Sequence, residues 1–283
     1  MIVTIYPNAN KFLAKTQAVL EKNEAANNLI LGLSLRVSRF LPVVQHPPYF
    51  ATVTDNDDLL LAAMMTPPRS LVLSTELADW REPLELLIQE VAAHDWPIPG
   101  VTGSPLLSQA FAAAWASLKG TTYRVKMRNR LYELKRVNPV PPTPGRLRVA
   151  TVNDLELVTE WIFAFQNEAL QRGNLAESRE VARYRINDQD IYLWEDREPV
   201  SMAAQTRPTR SGICISLVYT PPELRGRGYA TACVARLSQL FLDSGRNFCV
   251  LFTDLSNPTS NRIYQKIGYA PVCDFTEYIF DLE

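Results

Sequence analysis

Histidine is almost absent from this chain: His46 and His94 are the only two in 283 residues. Two isolated imidazoles exclude an HExxH zinc centre, and without a GxSxG segment they argue against a Ser-His-Asp hydrolase. Both are read as structural or solvent-facing. Cysteine is scarce too. Cys214, Cys233, Cys249 and Cys273 form no CxxC pair and lie in segments that read as strand or apolar helix face. Reduced core thiols are expected, and no metal. Charge of one sign is missing: 29 Lys and Arg stand against 30 Asp and Glu. No global field gathers nucleic acid or an anionic membrane, so neither partner is expected, and only a local basic patch is left open. No apolar run approaches the length of a bilayer, and MIVTIYPNANKF has no basic region ahead of an apolar stretch. A soluble, cytoplasmic protein is the expectation.

What is present is apolar residue in quantity, 47% of the chain, enough at this length for two domains with a core each. The clearest punctuation is Asn138-Pro139-Val140-Pro141-Pro142-Thr143-Pro144-Gly145, whose four prolines remove backbone donors and exclude helix and central strand. The predicted organisation is an N-terminal α/β domain over 1–137, a semi-rigid linker over 138–145 and a second domain over 146–283.

In the second half, residues 146–150 alternate like a strand, and Asn153 or Asp154 can cap a helix carrying Leu155, Val158, Trp161, Ile162 and Phe165 on one face. A helix over 177–186 and strands over 190–194, 199–206 and 213–219 follow. Ala230, Cys233, Val234, Leu237, Leu240 and Phe241 recur at helical spacing, residues 247–253 read as a buried strand, and a helix over 258–267 leads to a last strand region over 269–280. The first half repeats part of this order: helices over 10–21 and 24–40, strands over 49–54, 59–65 and 70–73, a helix over 83–93, an apolar piece over 98–101, a helix over 105–118, and strands over 123–127 and 131–135. The fold class expected is α/β (α+β), a mixed and largely antiparallel sheet flanked by helices, with the halves a duplicated fold.

One segment carries chemistry. A strand ending in Val218-Tyr219-Thr220 runs through Pro221-Pro222-Glu223-Leu224 into Arg225-Gly226-Arg227-Gly228-Tyr229-Ala230 and then a helix. The first turn of a helix has unpaired N–H groups and the positive end of the macrodipole, and glycines let an anion approach without a Cβ in the way. Arg225 and Arg227 add positive charge. No Lys-Ser/Thr follows the glycines, so the Walker pattern fails; Thr231 stands where a dinucleotide loop needs its third glycine.

This segment resembles the coenzyme signature R/Q-x-x-G-x-G/A of the GNAT acyltransferase superfamily, with Arg225, Gly228 and Ala230 in its fixed places. A second element agrees: Asn257-Pro258-Thr259-Ser260-Asn261-Arg262-Ile263-Tyr264-Gln265-Lys266-Ile267-Gly268-Tyr269 is similar to the family's Asn-led helix that ends in Tyr and a Gly-aromatic pair. The resemblance spans about 146–283. It implies an acyl-CoA-dependent N-acyltransferase using acetyl-CoA as co-substrate, with a small-molecule or protein amine as acceptor. It also implies that the backbone of Val218, Tyr219 and Thr220 pairs with the pantetheine, that the amides from Gly226 to Ala230 hold the pyrophosphate, and that Asn257 and Ser260 meet the coenzyme from the other side. Tyr264 is the implied general acid, since a phenol with a reference pKa of about 10 keeps its proton until a thiolate leaves. The strand over 213–219 has no carboxylate to serve as base, and Glu168 is the leading substitute, ahead of Glu177, Glu180 and Glu223. The alternatives are a non-catalytic acyl-CoA sensor or scaffold and, more distantly, transfer to a hydroxyl or aminoacyl group. In the first half Met65 is followed by Thr66-Pro67-Pro68-Arg69-Ser70, with no GxG, so that half is expected not to bind coenzyme. Its aromatics at Tyr49, Phe50, Trp80 and Trp96 are read as core.

Overall fold

The structure, a computed structural model, describes residues 1–40, 46–94, 96–170 and 173–281. The chain divides into two compact units. Unit 1 holds Met1–Leu131, Thr253–Ser256 and the chain from Val272 onward; unit 2 holds Tyr132–Phe252 and Asn257–Pro271.

Unit 1 runs through β1 (Ile2–Ile5), α1 (Ala9–Leu20), α2 (Asn28–Arg39), β2 (Tyr49–Asp55), β3 (Asp58–Met65), β4 (Leu71–Ser74), α3 (Arg81–Ala93), β5 (Gly100–Gly103), α4 (Pro105–Lys119) and the first part of β6 (Tyr123–Leu134). β1 to β4 pair antiparallel in sequence and β4 pairs β5 parallel. Local chemistry fixes the joints. Asn8 accepts the Lys11 N–H at 3.0 Å to start α1. Asn56 and Asp57 sit at φ 45° and 74°, the left-handed pair that a two-residue hairpin requires. Gly120, at φ 68°, ends α4. One core lies under α3 and α4 and includes Tyr49, Leu87 and Phe111; another lies under α1 and α2 and includes Phe12, Leu31 and Phe50.

Unit 2 repeats that order: β7 (Arg146–Val149), α5 (Leu155–Leu170), α6 (Leu175–Asn187), β8 (Ile191–Asp196), β9 (Glu198–Thr206), β10 (Gly212–Tyr219), α7 (Tyr229–Asp243), β11 (Phe248–Asp254) and α8 (Pro258–Ile267). Again the first four strands pair antiparallel, and the fourth pairs the fifth parallel. Ile213, Ile215, Cys249 and Leu251 face α7 and α8; Leu193, Met202, Ala204 and Tyr219 face α5 and α6. Both faces being covered explains why β11 reads as an unbroken apolar run. All four cysteines are free, three of them buried. Among the described residues no group of three or more His, Cys, Asp or Glu is gathered for a metal, and no helix is long and apolar enough to cross a membrane.

Three sequence expectations change. The N-terminal strand β1 was not foreseen, since four residues with half-buried alternation carry little signal. Tyr123–Leu134 form one strand instead of two. The 138–145 segment, read as a semi-rigid linker, lies within unit 2: Asn138 N donates to Ile267 O at 2.7 Å, Trp194 Nε1 donates to Pro144 O at 2.8 Å, and Val137 and Val140 pack on the unit 2 core. The division of the chain therefore falls inside β6, and β12 (Ala270–Phe280) crosses back to unit 1, where Thr276 to Ile279 pair antiparallel with β5.

At the start of unit 2, Arg148 donates two bonds of 2.8 Å to Asp154 and one of 2.6 Å to Glu195, tying β7 to β8 and to the turn before α5. Asp154 also accepts the Thr151 N–H at 2.7 Å, completing a capping box. The Arg148 bonds are the largest cause holding the Asp154 carboxyl at about 2, and burial works against them. A depressed carboxylate stabilises the fold above its unfolded value, near 4, and loses that contribution as pH falls through about 2. Asp154→Asn should lower stability at pH 7 by about 2 kcal/mol in urea unfolding. The variant's loss of stability between pH 4 and 2 should be shallower than the parent's.

Candidate functional site

The site starts with a break in β10. Its parallel ladder with β11 stops at Ile215↔Leu251, although β10 continues to Tyr219. On the β9 side the register slips between Ser216 and Tyr219, and Leu217 takes φ 49°, in the left-handed region that a leucine enters only under constraint. The bulge puts Leu217 and Tyr219 with the core under α5 and α6, and Val218 with the core under α7. Beyond Ile215 the strand thus pairs no further with its parallel neighbour.

Ser201, fully buried on β9, holds the strand's end: its hydroxyl bonds Tyr219 O at 3.1 Å and Thr220 Oγ1 at 2.9 Å. After a short 3-10 turn at Pro222–Leu224 the chain passes Gly226 at φ 78° and Gly228 at φ 85° and enters α7. A Cβ on Gly226 would meet nothing within 4 Å, and one on Gly228 would come 3.2 Å from Thr143 Oγ1. Gly228 is the N-cap of α7 and supplies no side chain, so among the described residues no side-chain cap closes the amides of Tyr229, Ala230 and Thr231. Arg227 bonds Glu223 O at 3.2 Å, and the Tyr229 hydroxyl donates to Asp196 at 2.8 Å, anchoring the helix start. An open glycine turn, uncapped helix amides and two arginines make a cradle fitted to a phosphate or pyrophosphate.

Arg225 knits the cradle to α5. Its Nε donates to Thr220 O at 2.9 Å, its Nη2 meets Glu168 Oε2 at 2.7 Å, and its guanidinium lies 5.8 Å from the Tyr219 ring centroid. Tyr219 also donates to Glu168 Oε1 at 3.4 Å. Glu168 is thus brought to the loop, as a partner of Arg225. Of the weaker carboxylates, Glu180 pairs with Arg183 and Glu223 sits in the 3-10 turn.

On α8, Asn257 spends its side-chain oxygen as the N-cap, accepting Ser260 N–H at 3.0 Å. The side-chain oxygen of Asn261 accepts from the buried Tyr132 hydroxyl at 2.9 Å, and Gln265 donates to the same hydroxyl at 3.3 Å. Tyr264 is buried against α7, its ring edge-on to Tyr269 at 6.0 Å, and burial pushes its phenol well above the ordinary value. Among the described residues no hydrogen bond engages its hydroxyl. Sequence reasoning missed Ser201 and Ser216. The Ser216 hydroxyl is buried without a partner at the bulge and, one residue past Ile215, lies on the α5 side of the strand. Nothing local marks either serine as special.

In unit 1 the counterpart of the 225–228 turn is the segment after β4, residues 75–80, since residues 66–70 join β3 to β4. It too lacks glycine, and Tyr49, Phe50, Trp80 and Trp96 are in or against the core, with Tyr49 edge-on to Trp96 at 4.9 Å.

Residues 194–279 match the family model described as FR47-like protein. Among solved structures the chain is similar to a Drosophila protein (14% identity over 98% of both chains, TM-score 0.69). It is also similar to a GCN5-related N-acetyltransferase from Sphaerobacter thermophilus (16%, 98% of this chain and 94% of the other, 0.61). A tandem GNAT protein from the clavulanic acid biosynthesis pathway matches as well (13%, 98% of both, 0.57). A search of curated proteins finds no match. At such identity the likeness speaks for architecture, and two of these three structures carry in their names the family whose signature residues 225–230 resemble: the chain has the acetyltransferase fold of the GNAT superfamily.

Proposed function

We propose that unit 2 is an acyl-CoA-dependent N-acyltransferase that transfers acetyl from acetyl-CoA to a primary amine. The observation that carries this reading is the parting of β10 from β11 beside an uncapped helix N-terminus flanked by Arg225 and Arg227. The open strand edge suits an amide-bearing arm and the cradle a pyrophosphate, and that combination matches acyl-CoA better than a nucleoside triphosphate or a dinucleotide. Val218, Tyr219 and Thr220 would line the arm, the amides from Gly226 to Ala230 would take the pyrophosphate with Arg225 and Arg227 beside it, and Asn257 and Ser260 would close the other side.

In this reading Tyr264 holds the proton for the departing sulfur. Its raised phenol stays protonated at every working pH, and its hydroxyl has no competing partner. A backbone N–H at Val218–Thr220 polarises the thioester carbonyl. Glu168 is the acceptor-side carboxylate: Arg225 holds its Oε2, and the ammonium proton would be taken at Oε1, where the Tyr219 hydroxyl lies at 3.4 Å.

Three substitutions test this. Gly228→Trp should abolish acetyl-CoA binding in isothermal titration while the far-UV spectrum is unchanged; absence of binding by the parent chain sinks the proposal. Tyr264→Phe should lower kcat by about 100-fold across an amine panel and leave the KM for acetyl-CoA within a factor of three; an unchanged kcat refutes the acid role. Glu168→Gln discriminates base from anchor. A base predicts a fall in kcat with loss of the acidic limb of the pH profile, whereas an anchor of Arg225 predicts a higher KM for acetyl-CoA at constant kcat.

A further inference from the structure

Unit 1 follows the same strand and helix order as unit 2, and it has its own cleft where its parallel pair ends. β4 and β5 pair at Leu71↔Val101 and Val72↔Thr102, and a cavity of about 170 Å³ opens at the end of that ladder. Its floor is apolar, made by Ile30, Val72 and Leu107, with Phe275 of β12 at the side. At its mouth stand Ser74, Asn27 and Glu76, where Ser74 Oγ donates to Asn27 Oδ1 at 2.7 Å and Asn27 Nδ2 donates to Glu76 Oε1 at 3.2 Å.

The charge of this cleft is the reverse of the cradle in unit 2. There the turn carries Arg225, Arg227 and two glycines. Here the turn and the first turns of α3 carry Glu76, Asp79, Glu82 and Glu85, and the one cation among them, Arg81, is bonded to Asp79 at 3.0 Å. Pro83 removes an amide from the first turn of α3, and Trp80 at the N-cap offers no side-chain bond. An anion is repelled from such a turn. Asp274, the other carboxylate on the cavity wall, is held by Arg130 through bonds of 2.7 and 2.9 Å. Glu76 has only the amide of Asn27; among the described residues no cation pairs with it. The neighbouring Cys273 thiol is pushed up to about 11, first by burial and then by Asp274 and Glu76, in keeping with a negative potential inside the cavity.

We propose that the unit 1 cleft binds a small amphiphilic ammonium compound, its apolar body in the cavity and its charged nitrogen at the Glu76 carboxylate. The volume is close to that of an engineered cavity of about 150 Å³ that holds one benzene, so the fitting ligand is a primary amine with a body of roughly six to eight carbons. An apolar floor under a single unpaired carboxylate favours a monoamine over a polyamine, and a cation over an alcohol or an acid. The site is independent of the coenzyme cradle and of the transfer reaction.

The experiment titrates the full chain with 2-phenylethylamine, 2-phenylethanol and phenylacetate by ligand-observed NMR, with acetyl-CoA titrated separately. The parent chain should bind the amine at least tenfold more tightly than the alcohol and should not bind the acid. Glu76→Gln, at an exposed position, should lower amine affinity at least tenfold and leave the alcohol unchanged, erasing the preference. Leu107→Trp, which fills the floor, should remove both ligands. Each variant should titrate acetyl-CoA as the parent does, so a failure of the coenzyme reading is seen apart from a failure here. The proposal is overturned if the parent chain fails to bind the amine, if it prefers the alcohol or the acid, or if Glu76→Gln binds the amine as the parent does.

Discussion

The site in unit 2 depends on one strained residue. Leu217 at φ 49° puts a leucine where the side chain crowds its own carbonyl, a conformation that costs on the order of 1 to 2 kcal/mol. It persists because its surroundings over-determine it. Leu217 packs at the edge of the core under α5 and α6, and Tyr219 is buried there with its ring 6.1 Å from Trp161. Ser201, itself fully buried, grips the Tyr219 carbonyl and the Thr220 hydroxyl. A straight strand would keep its register with β9 and its ladder with β11 to the end. The bulge breaks both and swings Thr220 toward Arg225, whose Nε closes on the Thr220 carbonyl. The end of the β11 ladder, the Ser201 clamp and the Arg225 contact are therefore joined at the bulge.

The two units show how little of that construction is the fold itself. Their strand pairings follow one scheme, four antiparallel neighbours and then a parallel fifth, yet the turns after the fourth strand have opposite chemistry. Gly226 and Gly228 can hold positive φ and leave α7 uncapped; the segment after β4 has no glycine, and its helix begins with Glu82 and Pro83. The strand order is common to both, and a handful of side chains sets the charge of the turn that follows the fourth strand.

The legible parts of the sequence were those fixed by local chemistry. Gly226, Gly228 and their arginines stand out because glycine spacing between a strand and a helix has few uses, and Asn257-Pro258 reads as a helix start because an Asn cap followed by Pro at N1 is a local rule. The repeated element order was legible from alternating apolar periods. Properties set by distant partners were not. The fate of Asn138–Gly145 turns on bonds to Ile267 and Trp194, far along the chain, so a proline-rich stretch that looks like a linker lies against unit 2 instead. The partner of Asn261 was hidden for the same reason: the hydroxyl that bonds it belongs to Tyr132, on β6. Ser201 and Ser216 are ordinary strand serines until the bulge makes one a clamp and leaves the other without a partner.

A phenol that burial has made a weaker acid looks ill suited to protonate a thiolate, which in water is the weaker base of the two. The comparison in water is the wrong one. Burial disfavours any anion, and on the proposed reading a thiolate leaving beside Tyr264 would be subject to the same desolvation, so its proton affinity would rise along with that of the phenol. What the site must supply is a proton within reach at the moment the sulfur takes on charge, and an oxygen with no other partner meets that need better than an ionised group held in a network. Arg225 illustrates the alternative: bonded to Thr220 and Glu168 at once, it is fixed in place and serves as a stationary charge. On the proposed reading, the division of labour between an immobile guanidinium at the cradle and an unengaged hydroxyl on α8 separates holding the donor from completing the transfer.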